Sequence, residues 1–315
     1  MSSDASVKVR LLDVAAEEAG QRLDNYLLRH ASGVPKTRVY RAIRKGEVRV
    51  NKGRSKPEYR VQAGDTVRIP PLKVGESAPA ARPSDAWKRR IRAGIVLDNA
   101  DLLVINKPTG LAVHGGSGVR LGLIESLRSL FPDARYLELV HRLDRDTSGL
   151  VLVAKNARTI RALHEQLRND AVDKSYLALV AGKWPAHQKS VSAPLAKRHT
   201  PSGERIVKVA QEGKAAKTEM QVVERFPGAT LIEAKPVSGR THQIRVHTQH
   251  IGHPILGDSK YQNDQSQAVS VTAGLKRLFL HARAIAFELA GERYELECPL
   301  DAELESVLRG LRSQR

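Results

Sequence analysis

The sequence predicts an α+β fold in two parts, a small basic module followed by a larger domain rich in strands. Three observations predict it. After residue 94, runs of strand length predominate and helical patterns are interspersed among them. Positive charge is concentrated in the amino-terminal third: residues 1–92 carry 21 Lys and Arg against 10 Asp and Glu, a net of +11, leaving +7 of the total +18 for the remaining 223 residues. Between the two parts, residues 71–93 are rich in Pro, Ala, Ser and charge without helix or strand periodicity, which reads as a linker. The expected boundaries are therefore 20–70, 71–93 and 94–315.

In the module, Leu23, Tyr26, Leu27 and His30 fall at helical spacing, and Pro35 opens a second helix, since proline is tolerated in a first turn. Arg38, Arg41 and Lys45 share one face of that second helix, while Val39, Ala42 and Ile43 supply the apolar side. The segments Gly46–Asn51 and Gly64–Pro70 alternate as half-buried strands do. In the larger domain, Leu102–Asn106 and Leu150–Ala154 are apolar runs suited to buried strands, and Ala157–Arg168 carries Ile160, Leu163 and Leu167 at helical spacing. Ser175–Ala181, Thr218–Arg225, Thr230–Pro236, Leu278–Leu289 and Arg293–Cys298 are further strand candidates. Asp301 caps a last helix carrying Leu304, Val307, Leu308 and Leu311.

A basic module of this kind is a footprint for a polyanion, because each phosphate neutralised releases condensed counterions. No apolar stretch approaches the roughly 20 residues that span a bilayer, and no signal-peptide core follows Met1. Cys298 is the only cysteine, so an intramolecular disulfide is impossible and a cytoplasmic location is expected. Only 13 of 315 residues are Phe, Trp or Tyr and none cluster, so the module lacks a stacking platform for single strands. Recognition by shape and phosphate favours folded RNA, with neither DNA nor a membrane as the partner. No self-complementary seam stands out, and a monomer is expected.

The segment HRLDRDTSGLVLVAK, His141–Lys155, carries the chemistry. Asp144 lies between Arg142 and Arg145 in a polar turn directly before the apolar run, where a substrate can reach it. A carboxylate among cations is suited to act as a nucleophile or general base. On spacing alone a surface turn of weakly paired ions is the commoner reading of the same residues. His242, His247, His250 and His253 fall within 12 residues, but no helical face aligns them and no Cys or carboxylate completes a set, so no metal is expected. Gly115, Gly116 and Gly118 match no nucleotide-cradling pattern and read as a tight turn.

HRLDRDTSGLVLVAK resembles the signature of the RluA-type pseudouridine synthases, and three further segments agree in order: INKPTGLAVHGG from Ile105, DKSYLALVAGKW from Asp173 and PVSGRTHQIRVHTQHIGHPILGD from Pro236. Helix, helix, hairpin and the phrase KGEVRVN resemble an S4 RNA-binding domain. The resemblance implies the pseudouridine synthase fold, a mixed, mostly antiparallel sheet with packed helices and a cleft across its middle. It implies that Asp144 is the catalytic residue, that Tyr176 lines the pocket and stacks on the target base, and that Arg245 pairs with Asp144. Arg142 would fill the gap left in the RNA when the base leaves its stack. From pattern alone, Tyr176 also fits a strand core and Arg245 a surface helix.

The implied reaction breaks the N-glycosidic bond of a uridine, turns the base and rejoins it through C5, so no cofactor is expected. The implied substrate is 23S rRNA of the large ribosomal subunit, with tRNA as an alternative. A ribosome-binding S4 protein without chemistry is disfavoured by the intact HRLD, KSY and HQIR segments. A hydrolase using Asp144 and Asp146 is disfavoured because these lie too close in sequence to flank a bond from opposite sides.

Overall fold

Apolar residues at the predicted helical and alternating positions build one core in the module and several in the larger domain. The computed structural model describes residues 9–31, 34–72, 83–115, 121–200 and 205–314. Gly116, Gly118 and the middle of the expected linker, 73–82, lie outside these residues.

The module holds β1 (Arg10–Asp13), α1 (Leu23–His30), α2 (Lys36–Arg44), β2 (Arg49–Val50) and β3 (Thr66–Ile69), with antiparallel sheet order β1-β3-β2. Leu23, Tyr26 and Leu27 of α1 pack with Val39, Ala42 and Ile43 of α2 and with Val50, Val67 and Ile69 of the sheet. Strand β1 extends the module upstream of the expected start at residue 20. It was illegible in the sequence because its partner β3 lies far along the chain and its own four residues are mostly exposed.

The carboxyl-terminal half of the segment read as a linker is helical, a correction to that reading. Helix α3 (Asp85–Ala93) is capped by Ser84, whose hydroxyl accepts from Trp87 N, and it buries Ile91 completely. Trp87 and Ile91 are its apolar anchors, one turn apart, and the surrounding Lys and Arg hide that short stripe. Through Ile91 and Trp87 this helix packs on the same core as the strands that follow it.

That domain continues through β4 (Ile95–Asp98), β5 (Leu102–Lys107), α4 (Leu123–Leu130), β6 (Glu138–Leu139), β7 (Ser148–Ala154), α5 (Ala157–Arg168) and β8 (Asp173–Ala181). There follow β9 (Ser190–Ser192), β10 (Leu195–His199), β11 (Arg205–Val209), β12 (Lys217–Phe226), β13 (Ala229–Pro236), α6 (Gln243–His250), α7 (Asp264–Thr272), β14 (Leu280–Leu289), β15 (Glu292–Glu297) and α8 (Ala302–Arg312). The main sheet runs β4-β5-β7-β14-β8-β13-β12-β9, with β6 on β7 and β15 on β14. Only the β7–β14 pair is parallel among these, so the sheet is mixed and mostly antiparallel.

Strand β7 is buried along its whole length, as its unbroken apolar run predicts. Val151 and Val153 face α3 and α4, while Leu150, Leu152 and Ala154 face α5 and the β14–β15 hairpin. Each such side chain contributes about 1.5–3 kcal/mol relative to exposure. A third core joins β8, β12 and β13 to α7 and α8, where Leu304, Val307, Leu308 and Leu311 are buried as their spacing predicts. Strands β10 and β11 form a separate hairpin that the alternation of this polar stretch did not reveal.

Candidate active site

The parallel contact between β7 and β14 brings the end of the HRLD turn to the centre of the sheet. Gly149 makes this possible: its φ is +113°, and a Cβ there would sit 2.3 Å from the carbonyl oxygen of Ala282. Replacing Gly149 by Ala is expected to lower stability by more than about 1 kcal/mol, measurable as a reduced urea midpoint.

Two hidden anchors hold the turn itself. The ring of His141 accepts a hydrogen bond from Leu152 N at 3.2 Å through Nε2, and burial pushes this imidazole down to about 4, so it stays neutral. Lys107, fully buried, donates from Nζ to the carbonyls of Pro108, Leu111 and Arg145 at 3.0, 2.9 and 3.2 Å. Burial pulls its ammonium down to about 7, opposed by the charges of Asp146 and Asp144. The KPTG segment is thus a clamp on the turn that bears Asp144, which its sequence alone did not disclose.

Asp144 is thereby presented to a cavity of about 520 Å³ lined by Arg142, Tyr176, Arg240, His242 and Arg245 among others. This is a volume typical of pockets that enclose small ligands. Asp146 does not line it; its carboxylate turns to Arg145 at 2.9 Å, in an exposed pair. The two carboxylates therefore do not act on one bond.

Helix α6 supplies the opposite wall. Residues Gln243 to Thr248 are all buried, so Arg245 is no surface helix residue. Its guanidinium forks onto Asp258, Nε to Oδ2 at 2.8 Å and Nη2 to Oδ1 at 2.7 Å, and presents Nη1 to Oδ2 of Asp144 at 3.3 Å. The Arg245 side chain is 7% exposed, Asp258 0% and Asp144 19%, so the ion chain opens to the cavity only at Asp144. Asp258 also accepts from Lys260 N and Tyr261 N. Burial disfavours the Arg245 charge, but the Asp258 hydrogen bonds and the Asp258 and Asp144 charges more than offset it and hold its pKa above the ordinary value.

Tyr176 is half-buried near the start of β8, where its cross-strand partners are Ala234 on β13 and Ala282 on β14. Two small neighbours on its face leave the ring flanked by space. Burial, reinforced by Asp144, drives its phenol well above the ordinary range, so it stays protonated. The ring packs against two of the domain's cores and marks the seam between the halves of the sheet. Arg142 is exposed at the cavity mouth.

The module's cations are remote in sequence from this cavity and do not line it. Arg38 donates to Glu47 at 2.9 Å and is half-buried, whereas Arg41 and Lys45 are exposed. The basic face is thus narrower than the helical spacing predicts.

The four clustered histidines are dispersed by the fold. His247 contacts the Thr218 hydroxyl at 2.9 Å and the Ala193 carbonyl at 3.1 Å; His253 contacts the Ala181 carbonyl at 2.7 Å; His250 is exposed. Among the described residues no three His, Cys, Asp or Glu are grouped to hold a metal, and no helix is long and apolar enough to cross a membrane. Asp258, His242 and Tyr261 join the site although sequence reasoning missed them. The only available signal was that His242 and Asp258 lie within the HQIR…ILGD segment, which carries no periodicity.

Similarity over nearly its whole length shows that the chain belongs to the RNA pseudouridylate synthase family. The model of that family matches residues 101–250, and that of the S4 domain residues 21–67. The chain is 54% identical over 310 residues to the ribosomal large subunit pseudouridine synthase C of Pasteurella multocida, covering 98% of this chain and 95% of the relative. It is 53% identical over 312 residues to the protein of the same name from Escherichia coli K12, covering 98% of each. Among solved structures, human RNA pseudouridylate synthase domain containing 4 aligns with a TM-score of 0.60 at 28% identity, over 72% of this chain and 96% of that one.

Proposed function

We propose that the protein is a ribosomal large-subunit pseudouridine synthase that isomerises uridines of 23S rRNA, with Asp144 as its catalytic residue. The observation that carries this reading is the chain Asp258–Arg245–Asp144, buried except where the last carboxylate meets the cavity. High identity to relatives bearing that name, over nearly the whole length, supports the substrate. A uridine substrate would be RNA rather than DNA, and a ribosomal one is compatible with a cytoplasmic location.

A stacked uridine cannot present C1′ or C6 to a carboxylate, so the nucleotide must be extruded, at a cost of roughly a few kcal/mol. Arg142, exposed at the mouth, is placed to fill the vacated stack and offset part of that cost. Asp144 then acts on the sugar or base as nucleophile or base. Tyr176 and the surrounding wall hold the detached uracil beside the sugar, so recombination is effectively intramolecular. Nothing is oxidised: the N1–C1′ and C5–H bonds are exchanged for C5–C1′ and N1–H bonds, so the proton lost from C5 is balanced by the one gained at N1.

Incubation with unmodified 23S rRNA, followed by carbodiimide-blocked primer extension, should give new stops at specific uridines. No stop at any uridine would refute the reading. Within it, Tyr176→Phe should retain base stacking, whereas Tyr176→Leu should lose about 10-fold to 100-fold in single-turnover rate, as stacking of one base is worth about 1–3 kcal/mol. Equal rates for the two would make the ring structural only.

RNA capture by the module is the second part of the proposal. Exchanging Arg41 and Lys45 together for Gln should lower the slope of log K against log salt by about two units if each meets a phosphate. Nitrocellulose filter binding across a salt series measures it, and an unchanged slope would remove that face from the RNA interface.

A further inference from the structure

His242 stands out among the groups that the mechanism above leaves unused. It precedes α6 with φ +55°, a left-handed conformation that non-glycine residues rarely adopt. That backbone turn aims its ring into the cavity, between Tyr261 on one side and Asp144 on the other. Nδ1 lies 2.7 Å from the Tyr261 hydroxyl, and Nε2 faces Oδ2 of Asp144 across 3.8 Å.

The Tyr261 hydroxyl already accepts the backbone N–H of Val207, on β11, at 3.0 Å. That N–H can only donate, so the hydroxyl's own proton is directed to Nδ1, which must then be the bare nitrogen. The reverse arrangement fails twice. With a proton on Nδ1, the buried hydroxyl would face two donors and its own proton would lose its acceptor. Nε2 would also turn a lone pair toward a carboxylate. The groups around the ring are Asp144, Arg245, Lys260 and Asp258; burial is the largest influence and, with the two cations, outweighs the carboxylates to hold the imidazole neutral.

We propose that His242 is a positioning residue for the reaction, its one ring proton fixed on Nε2 by the Tyr261 hydroxyl and aimed at Oδ2 of Asp144. Arg245 addresses the same oxygen, and among the described residues no hydrogen bond reaches Oδ1. Two donors on Oδ2 leave Oδ1 as the oxygen that meets the substrate. This role requires the 3.8 Å between Nε2 and Oδ2 to narrow to hydrogen-bond range when RNA binds. The hairpin β10–β11 is wired into this arrangement, since Val207 sets the direction of the Tyr261 proton.

The catalytic part of this inference rests on the functional reading above, whereas the tautomer does not, so the two are measured separately. Nitrogen-15 spectra of histidine-labelled protein, with His242→Gln identifying the resonance, should show Nε2–H in the wild type. Tyr261→Phe keeps the ring that stacks under Arg245, 5.0 Å from its guanidinium carbon, and removes only the hydroxyl. It should yield a mixture of tautomers. A wild-type spectrum of Nδ1–H would overturn the proposal, whatever the activity.

In single-turnover assays on 23S rRNA, His242→Leu should slow the reaction by about 10-fold to 100-fold, the worth of a hydrogen bond to a charged group, with RNA affinity unchanged. Gln carries an N–H donor near the place of Nε2 and should restore most of the rate. Adding Tyr261→Phe should cost less in the Gln background than in the wild type, because an amide has no ring tautomer to fix. Equal rates for Leu and Gln, or an equal Tyr261→Phe penalty in both backgrounds, would refute the positioning role. If the wild type itself makes no pseudouridine, the functional reading fails and the spectra alone decide the geometry.

Discussion

Asp144→Asn is expected to lower pseudouridine formation by at least about 100-fold, since a general base alone is typically worth about 10² to 10⁴. The amide keeps the shape of the carboxylate but removes the charge that attack or proton abstraction needs. The surroundings should tolerate the change: Asp144 is the half-buried, cavity-facing end of the ion chain, while the Asp258–Arg245 fork beneath it stays intact. Its turn is fixed by Lys107 and His141 rather than by its own side chain. Circular dichroism and RNA affinity should therefore match the wild type while single-turnover product falls. A variant that keeps more than about one hundredth of the rate would exclude Asp144 as nucleophile or essential base.

Arg245→Met is expected to cost about 3–5 kcal/mol of stability, the usual consequence of leaving one member of a buried ion pair uncompensated. Asp258, with its side chain wholly buried, would keep the two backbone donors from Lys260 and Tyr261 but lose its guanidinium partner. A second change, Asp258→Asn, removes the orphaned charge and should recover part of that loss without restoring activity, because Asp144 still lacks its cation. Arg245→Lys should rescue poorly, since one ammonium cannot fork onto Asp258 and reach Asp144 at once. Urea titrations of the four proteins, with initial rates beside them, check both parts. An unchanged urea midpoint for Arg245→Met would show that the fork contributes nothing to folding.

The elements that a local pattern specifies were legible in the chain itself. Helix α5 follows from Ile160, Leu163 and Leu167 on one face, α8 from the cap at Asp301 and four buried apolar residues, and β7 from its unbroken apolar run. Each is a short-range statement about burial, and burial is what the period of apolar residues records. The turn bearing Asp144 was legible for the same reason, because its polar and turn-forming residues adjoin a strand that must be buried. Short or charged elements were not. Strand β1 depends on a partner more than fifty residues away in register, Asp13 on Thr66, and α3 shows only Trp87 and Ile91 among cations.

What only the tertiary structure decided is which side chains converge. Asp144 and Arg245 are 101 residues apart, and their contact exists because β7 meets β14 in parallel at Gly149 while α6 is buried across the seam. Lys107 and Arg145 are separated by 38 residues, and His242 and Tyr261 by 19, with no periodic relation between either pair. Hydrogen bonds between distant segments leave no mark on local periodicity, because they are set by the packing of the whole sheet. The sequence by itself determined the residues available for chemistry and the strands and helices that carry them. The three-dimensional packing determined that a lone carboxylate would be held by Arg245, faced by His242 and opened to a cavity.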